Sequence, residues 1–281
     1  MNPIYKRRLL INRIGITLSM AAMAFGLLAL AWILWTLFSK GFSALGVDMF
    51  TQDTPAPGSD GGGLRNAIVG SGMILFFTTV VATPIGILAG IYLSEYGKVS
   101  RFAAVTRFVT DIMLSAPSIV IGLFVYALFV ATLGGFSGWA GSVALALIAI
   151  PVVVRTTENM LNLVPTALRE AAFALGAPRW KVSLSVSLRA VKAGVVTGIL
   201  LAVARVTGET APLLFTALNN QFFSTDMSQP MANLPVVIYQ FGLSPYDNWV
   251  NLAWGGALLI ALLVLGLNVL ARVLFRQELK R

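Results

Sequence analysis

The chain has 281 residues, 57% of them hydrophobic and 11% charged, with a mean hydropathy of +0.84. That is the composition of a polytopic membrane protein, because a soluble core does not repeat apolar runs of this length. Net charge is +9, and the absence of Cys and His excludes disulfides, thiol chemistry, metal or haem ligation by either residue and any His-dependent triad.

Residues 1–15 carry Lys6, Arg7, Arg8 and Arg13 ahead of the first apolar run and read as a cytoplasmic foot. Six stretches then approach or exceed the ~20 residues that a bilayer core requires: 16–38, 67–93, 108–132, 139–156, 191–216 and 252–275. The expected fold is an all-α membrane protein: six transmembrane helices in one domain over 16–275, an inner loop at about 157–190 and a tail at 276–281. The first stretch is too long for a cleaved leader and ends in TLFSK, so it is expected to be an uncleaved signal anchor. The fourth is the shortest, with about 16 apolar residues before Arg155. With the spans alternating from a cytoplasmic N-terminus, Lys40 and Arg65 are the basic residues left outside, and Arg155 and Arg205 lie at membrane depth. The others, including Lys98, Arg101, Arg107, Arg169, Arg179, Lys181, Arg189, Lys192 and Arg272, fall inside with both termini. Topology therefore accounts for the basic balance, and no nucleic-acid partner is implied.

The outer segment 39–66 contains DTPAPGSDGGG at 53–63, a loop composition expected to connect rather than to bind. In the second span Pro84 predicts a kink, and the pair Gly86 and Gly90 predicts close approach of a neighbouring helix. Ser115, Ala116, Pro117 and Ser118 predict a break in the third span. Arg155, at the end of the fourth, fits either a side chain that snorkels to the interface or an anion contact near the inner mouth.

Between the fourth and fifth spans, Pro165 supplies a helix start, Leu168, Ala172 and Leu175 share one face, and Gly176 supplies a left-handed stop. Pro178 opens a second helix with Leu184, Leu188 and Val191 in the same period. This pattern fits a helix that enters another protein's groove and equally a hairpin that caps its own bundle. The fifth span reads LLAVARVTGETAPLLFTAL, with Arg205 and Glu209 at i, i+4, where a charge costs about 2.5–3.5 kcal/mol to insert. One turn apart, they can pair with each other. Either they form a buried salt bridge that fixes the helix's rotation, or Arg205 offers its planar donors to a tetrahedral oxyanion while Glu209 orients it; the insertion cost favours the second. The outer segment from about 217 to 251 contains no Lys or Arg and is expected to hold a short amphipathic surface helix around 233–243, with Trp249 and Trp254 in an interfacial belt.

Glu170, Ala171, Ala172 and Gly176 form EAA-x3-G, which resembles the signature of permease subunits of bacterial ABC importers. Val186 and Leu188 match the aliphatic positions that follow, while Arg189 stands where that pattern has proline, which puts the turn back to the membrane in question. ARVTGETAPLLFTAL and NQFFSTDMSQPMANLP resemble the PstA-type permeases of phosphate importers, from about residue 65 onward. The resemblance implies a type I importer (MetI-like) permease fold in the bacterial inner membrane. It also implies Glu170–Gly176 as a coupling helix seated in an ATPase, Arg205, Glu209 and Arg155 along the substrate path, a homologous second permease, an ATPase dimer and a periplasmic phosphate-binding protein. The chain has no G-x-x-x-x-G-K-[ST] loop, so ATP and Mg are expected on the partner ATPase and this chain is expected to be non-catalytic. The rival readings are a permease for sulfate or molybdate and a stand-alone channel.

Overall fold

The computed structural model describes residues 3–97 and 100–278; Lys98, between the second and third expected spans, and the end of the expected tail lie outside the described residues. Helix α1, Pro3–Ala44, joins the expected foot and first span into one rod. Its 42 residues rise about 60 Å, roughly twice a bilayer core. Only Gly41 on it is buried, where an added Cβ would lie 2.6 Å from Leu258 Cβ. The short α2, Val47–Thr51, leads into the Gly-rich outer loop, which uses left-handed φ at Gly58, Gly61 and Gly62. Asp53 and Arg65 close this loop through a two-pronged ion pair at 3.0 and 2.9 Å, and Asn248 Nδ2 donates to the Ser59 and Gly61 carbonyls.

Helix α3, Arg65–Ile91, is followed directly by a π-helical turn, Tyr92–Tyr96. The third span is broken where expected: α4, Arg101–Ser115, and α5, Ser118–Val125, which runs on through a π-turn, Tyr126–Val130, to α6, Ala131–Leu133. The two halves meet at 106°. Pro117 is the cause, since its ring forces Ala116 out of the helical region, to ψ 137°. Helix α7, Gly138–Asn162, starts on a Ser137 hydroxyl that accepts the Ala140 N–H at 3.1 Å, and outruns its expected end at 156.

The inner hairpin comprises α8, Thr166–Ala174, then α9, Arg179–Lys181, a π-turn, Val182–Ser187, and α10, Leu188–Ala190. A 75° bend at Val191 leads into α11, Lys192–Thr207, so the chain turns back to the membrane with Arg189 in place of proline. The fifth span departs from expectation. It does not run unbroken to 216: α11 stops at Thr207, Gly208 caps it, and the chain resumes helix only in α12, Ala211–Thr216, with Pro212 in its first turn. Pro212 has no N–H to return to the Gly208 carbonyl, and Gly208 is itself a poor helix former, so the two together interrupt the helix here. By contrast, α3 and α7 run on through the single prolines Pro84 and Pro151. Helices α13, Leu234–Gly242, and α14, Asp247–Glu278, complete the chain.

Four helices, or six spans if each bent pair counts as one, are long and apolar enough to cross a membrane. Their burial differs sharply: α7 is the most enclosed, and the apolar window of α1 is wholly exposed. The α3–α7 pair forms the centre, as the glycine pair predicts. A Cβ on Gly86 would stand 2.6 Å from Val153 Cβ, and one on Gly90 would stand 2.6 Å from Thr157 Cβ. Polar side chains stitch the same seam, with Ser142 donating to the Ile74 carbonyl at 3.3 Å and Thr78 to the Ser142 carbonyl at 3.2 Å. The amphipathic helix expected around 233–243 forms as α13, with one face buried and Tyr239 exposed on the other. Asn233 caps it, and Leu234, Val236, Val237 and Phe241 are buried against α3 and α14, with Phe241 stacked on Trp249 at 4.2 Å. Trp249 thus packs against the outer helix, and Trp254 receives Lys40 on its ring face at 5.1 Å.

Candidate substrate path and coupling face

Arg205 lies in the last turn of α11, about 20 Å along the helix from Lys192. Its side chain is exposed, and among the described residues no ion pair or side-chain hydrogen bond engages its guanidinium. The pairing with Glu209 that the one-turn spacing allows is not formed. Glu209 is half-buried in the non-helical segment after Gly208, with its N–H on the Val206 carbonyl at 3.2 Å, so the one-turn stacking that spacing promised does not exist. The interruption also brings the two broken spans together. Gly122 of α5 faces α12 so closely that an added Cβ would lie 2.7 Å from Pro212 Cα. Irregular backbone at membrane depth is sustained only where protein or a water-filled cavity covers it, and α5 and α7 pack against this segment.

Arg155 has the opposite surroundings. It lies about 10 Å from the Asn162 end of α7. Its Nε donates to Asp111 Oδ1 at 3.0 Å, its Nη2 donates to the same oxygen, and its Nη1 donates to Glu158 Oε2 at 3.2 Å. Arg107 closes the group: Nε donates to Glu158 Oε1 at 2.7 Å and Nη2 to the Leu93 carbonyl at 2.7 Å. Glu158 is 5% exposed and holds one arginine on each oxygen; two cations and two carboxylates leave the cluster neutral. Asp111 and Glu158 are absent from the sequence-derived site. Their signal was spacing: Arg107 and Asp111 stand four apart on α4, Arg155 and Glu158 three apart on α7, so each helix presents one pair on one face.

The stretch that carries EAA-x3-G forms the helix, stop and second helix that its sequence predicts. Gly176 takes φ +79°, its N–H bonds the Phe173 carbonyl at 2.9 Å, and the Ala177 N–H bonds the Ala172 carbonyl at 3.2 Å. This double closure satisfies carbonyls that a helix end leaves open. No residue of α8 is buried. Glu170 and Ala171 are exposed, Ala172 is half-buried, and the apolar Phe173 and Leu175, the latter 89% exposed, are also open to the outside. Arg169 is the inward-facing exception: it donates to Glu95 Oε1 from Nε and Nη2 at 3.1 and 2.9 Å, and to the Val164 and Leu161 carbonyls at 2.7 Å each.

Comparison with known proteins places this architecture. The family model described as "Binding-protein-dependent transport system inner membrane component" matches residues 82–278. The phosphate transport system permease protein PstA of Yersinia pestis is 58% identical over 267 residues, covering 95% of this chain and 90% of that one. Its namesake in Pasteurella multocida is 57% identical, covering 99% of each chain. Among solved structures, a bacterial alginate ABC transporter in complex with its alginate pentasaccharide-bound periplasmic protein matches with a TM-score of 0.63 at 13% identity, over 97% of this chain and 96% of that one. An inward-facing MetNI methionine ABC transporter matches with a TM-score of 0.57 at 21% identity, over 74% and 93%. At these identities the structural matches speak to fold alone. The sequence matches go further, and the chain belongs to the binding-protein-dependent inner membrane permeases of ABC importers, in the branch of the PstA phosphate permeases.

Proposed function

We propose that this chain forms half of the translocation path of an ATP-driven phosphate importer in the bacterial inner membrane, with both termini in the cytoplasm. A homologous second permease supplies the other half, an ATPase dimer binds inside and carries ATP and Mg, and a periplasmic phosphate-binding protein delivers substrate. The observation that carries the substrate is the 57–58% identity to phosphate permeases along nearly the whole chain. Arg205 supplies chemistry that fits it, a planar donor fork without a protein partner among the described residues, at a break in a membrane span.

In this reading the exposed face of Glu170, Ala171, Ala172 and Gly176 receives the ATPase. Closure of the ATPase pair on ATP pushes this helix, and the packed spans tilt between inward- and outward-facing states as rigid bodies. Phosphate passes Arg205, with Glu209 beyond the helix end close by in sequence, and then Arg155 nearer the inner exit. The burial of α7 and the glycine seam with α3 support a rigid-body response, because tightly packed helices shift as units. Uptake competition tests the substrate. In liposomes carrying the whole complex, unlabelled phosphate is expected to suppress uptake of labelled phosphate while sulfate and molybdate leave it unchanged; suppression by either of those anions would move the chain to the other oxyanion class.

A further inference from the structure

We propose that Arg169 is a positioning residue that locks the coupling helix to the inner end of α3, through Glu95, so that a push on α8 moves the central α3–α7 pair. This inference rests on the reading of α8 as the seat of the ATPase.

Helix α8 packs on the π-turn Val182–Ser187, which belongs to its own hairpin. That contact makes the hairpin one piece but does not tie it to the core. Among the described residues, Arg169 provides the one side-chain hydrogen-bonded link from α8 to other elements. One guanidinium joins α8, on which it sits, to the end of α7 through the Leu161 carbonyl, to the turn just beyond it through the Val164 carbonyl, and to the π-turn that follows α3 through Glu95. The side chains of Arg169 and Glu95 are 14% and 11% exposed, so water and salt screen the pair weakly. The planar fork suits this task, because it meets a carboxylate and two carbonyls at once, which an ammonium on a flexible stem does not. The neighbouring Glu170, by contrast, points into the open. One residue of the helix thus faces the core and the next faces the partner, as a transmitting element requires.

The test compares transport with hydrolysis in the complete complex reconstituted in liposomes. R169Q and E95Q are each expected to lower phosphate imported per ATP hydrolysed about tenfold, within the usual range of coupling between distant sites. The ATPase is expected to co-purify with both variants at the wild-type ratio. The double variant is expected to fall no further than R169Q alone, since both changes remove one link. E95D, which keeps the carboxylate, is expected to restore most of the ratio. F173D, at an exposed position of α8, tests the underlying reading and is expected to lose the ATPase. An unchanged import-to-hydrolysis ratio in R169Q, a multiplied loss in the double variant, or loss of the ATPase from R169Q would each overturn the link while leaving the docking reading in place. Retention of the ATPase by F173D would overturn the docking reading and the link with it.

Discussion

The two arginines that sequence puts at membrane depth, Arg155 and Arg205, have opposite surroundings in the structure. Arg155 is bound to Asp111 and Glu158, inside a neutral cluster that also holds Arg107 and joins α4 to α7. Arg205 stands alone at the end of α11, beside a break in the helix and without a carboxylate on it among the described residues. A charge at this depth is expensive, so a paired one is explained by its partners and an unpaired one calls for a ligand or a cavity. The difference is one of occupancy: the Arg155 cluster joins α4 to α7 through ion pairs, and the Arg205 guanidinium has no protein partner among the described residues.

That contrast orders the expected effects on the thermal stability of the purified complex. The largest belongs to Glu158→Gln, which leaves two arginines without their shared, buried carboxylate and is expected to destabilise by about 3 kcal/mol. Retention of wild-type stability would mean that the cluster is not structural. Gly90→Ala comes next. Its Cβ would press on Thr157, the residue beside Glu158, at a separation of 2.6 Å, and overpacking of this kind costs about 1–3 kcal/mol. A shift of α3 that absorbs the methyl without loss would show the seam to be looser than its geometry. Asp111→Asn touches the open side of the cluster, where the carboxylate is 54% exposed, and is expected to change stability by less than about 1 kcal/mol. A larger loss would place Asp111 with Glu158 as a holding residue. Smallest is Arg205→Gln, expected to stay within about 0.5 kcal/mol of wild type because no protein contact is removed.

The features that sequence carries well here are those that one stretch of chain decides alone. Six apolar runs gave the spans, Pro117 gave the bend in the third, and Gly176 gave the stop of α8, since each acts on its own backbone. The Gly86 and Gly90 pair was readable too, because only small residues permit the approach that α7 makes. What escaped was set by encounters between helices. Glu95 meets Arg169 across 74 residues of chain and Asp111 meets Arg155 across 44, and no local pattern pairs them. The fifth span misled for a different reason. Its apolar residues continue past Gly208, so periodicity extended a helix that Gly208 and Pro212 together interrupt, and the i, i+4 pairing of Arg205 with Glu209 went with it. Helix α13 was legible as an amphipathic helix, but the period alone does not name what covers its apolar face, which here is α3 and α14.

The account stands most directly on phosphate import by Arg205→Gln, measured in liposomes at equal complex content with ATP hydrolysis followed alongside. In the proposed path phosphate engages the Arg205 fork, and loss of such a charged contact is worth about 3 kcal/mol, so import is expected to fall about a hundredfold while assembly, melting temperature and association with the ATPase stay at wild-type values. Import at the wild-type rate would contradict the assignment and leave Arg205 without a role in transport.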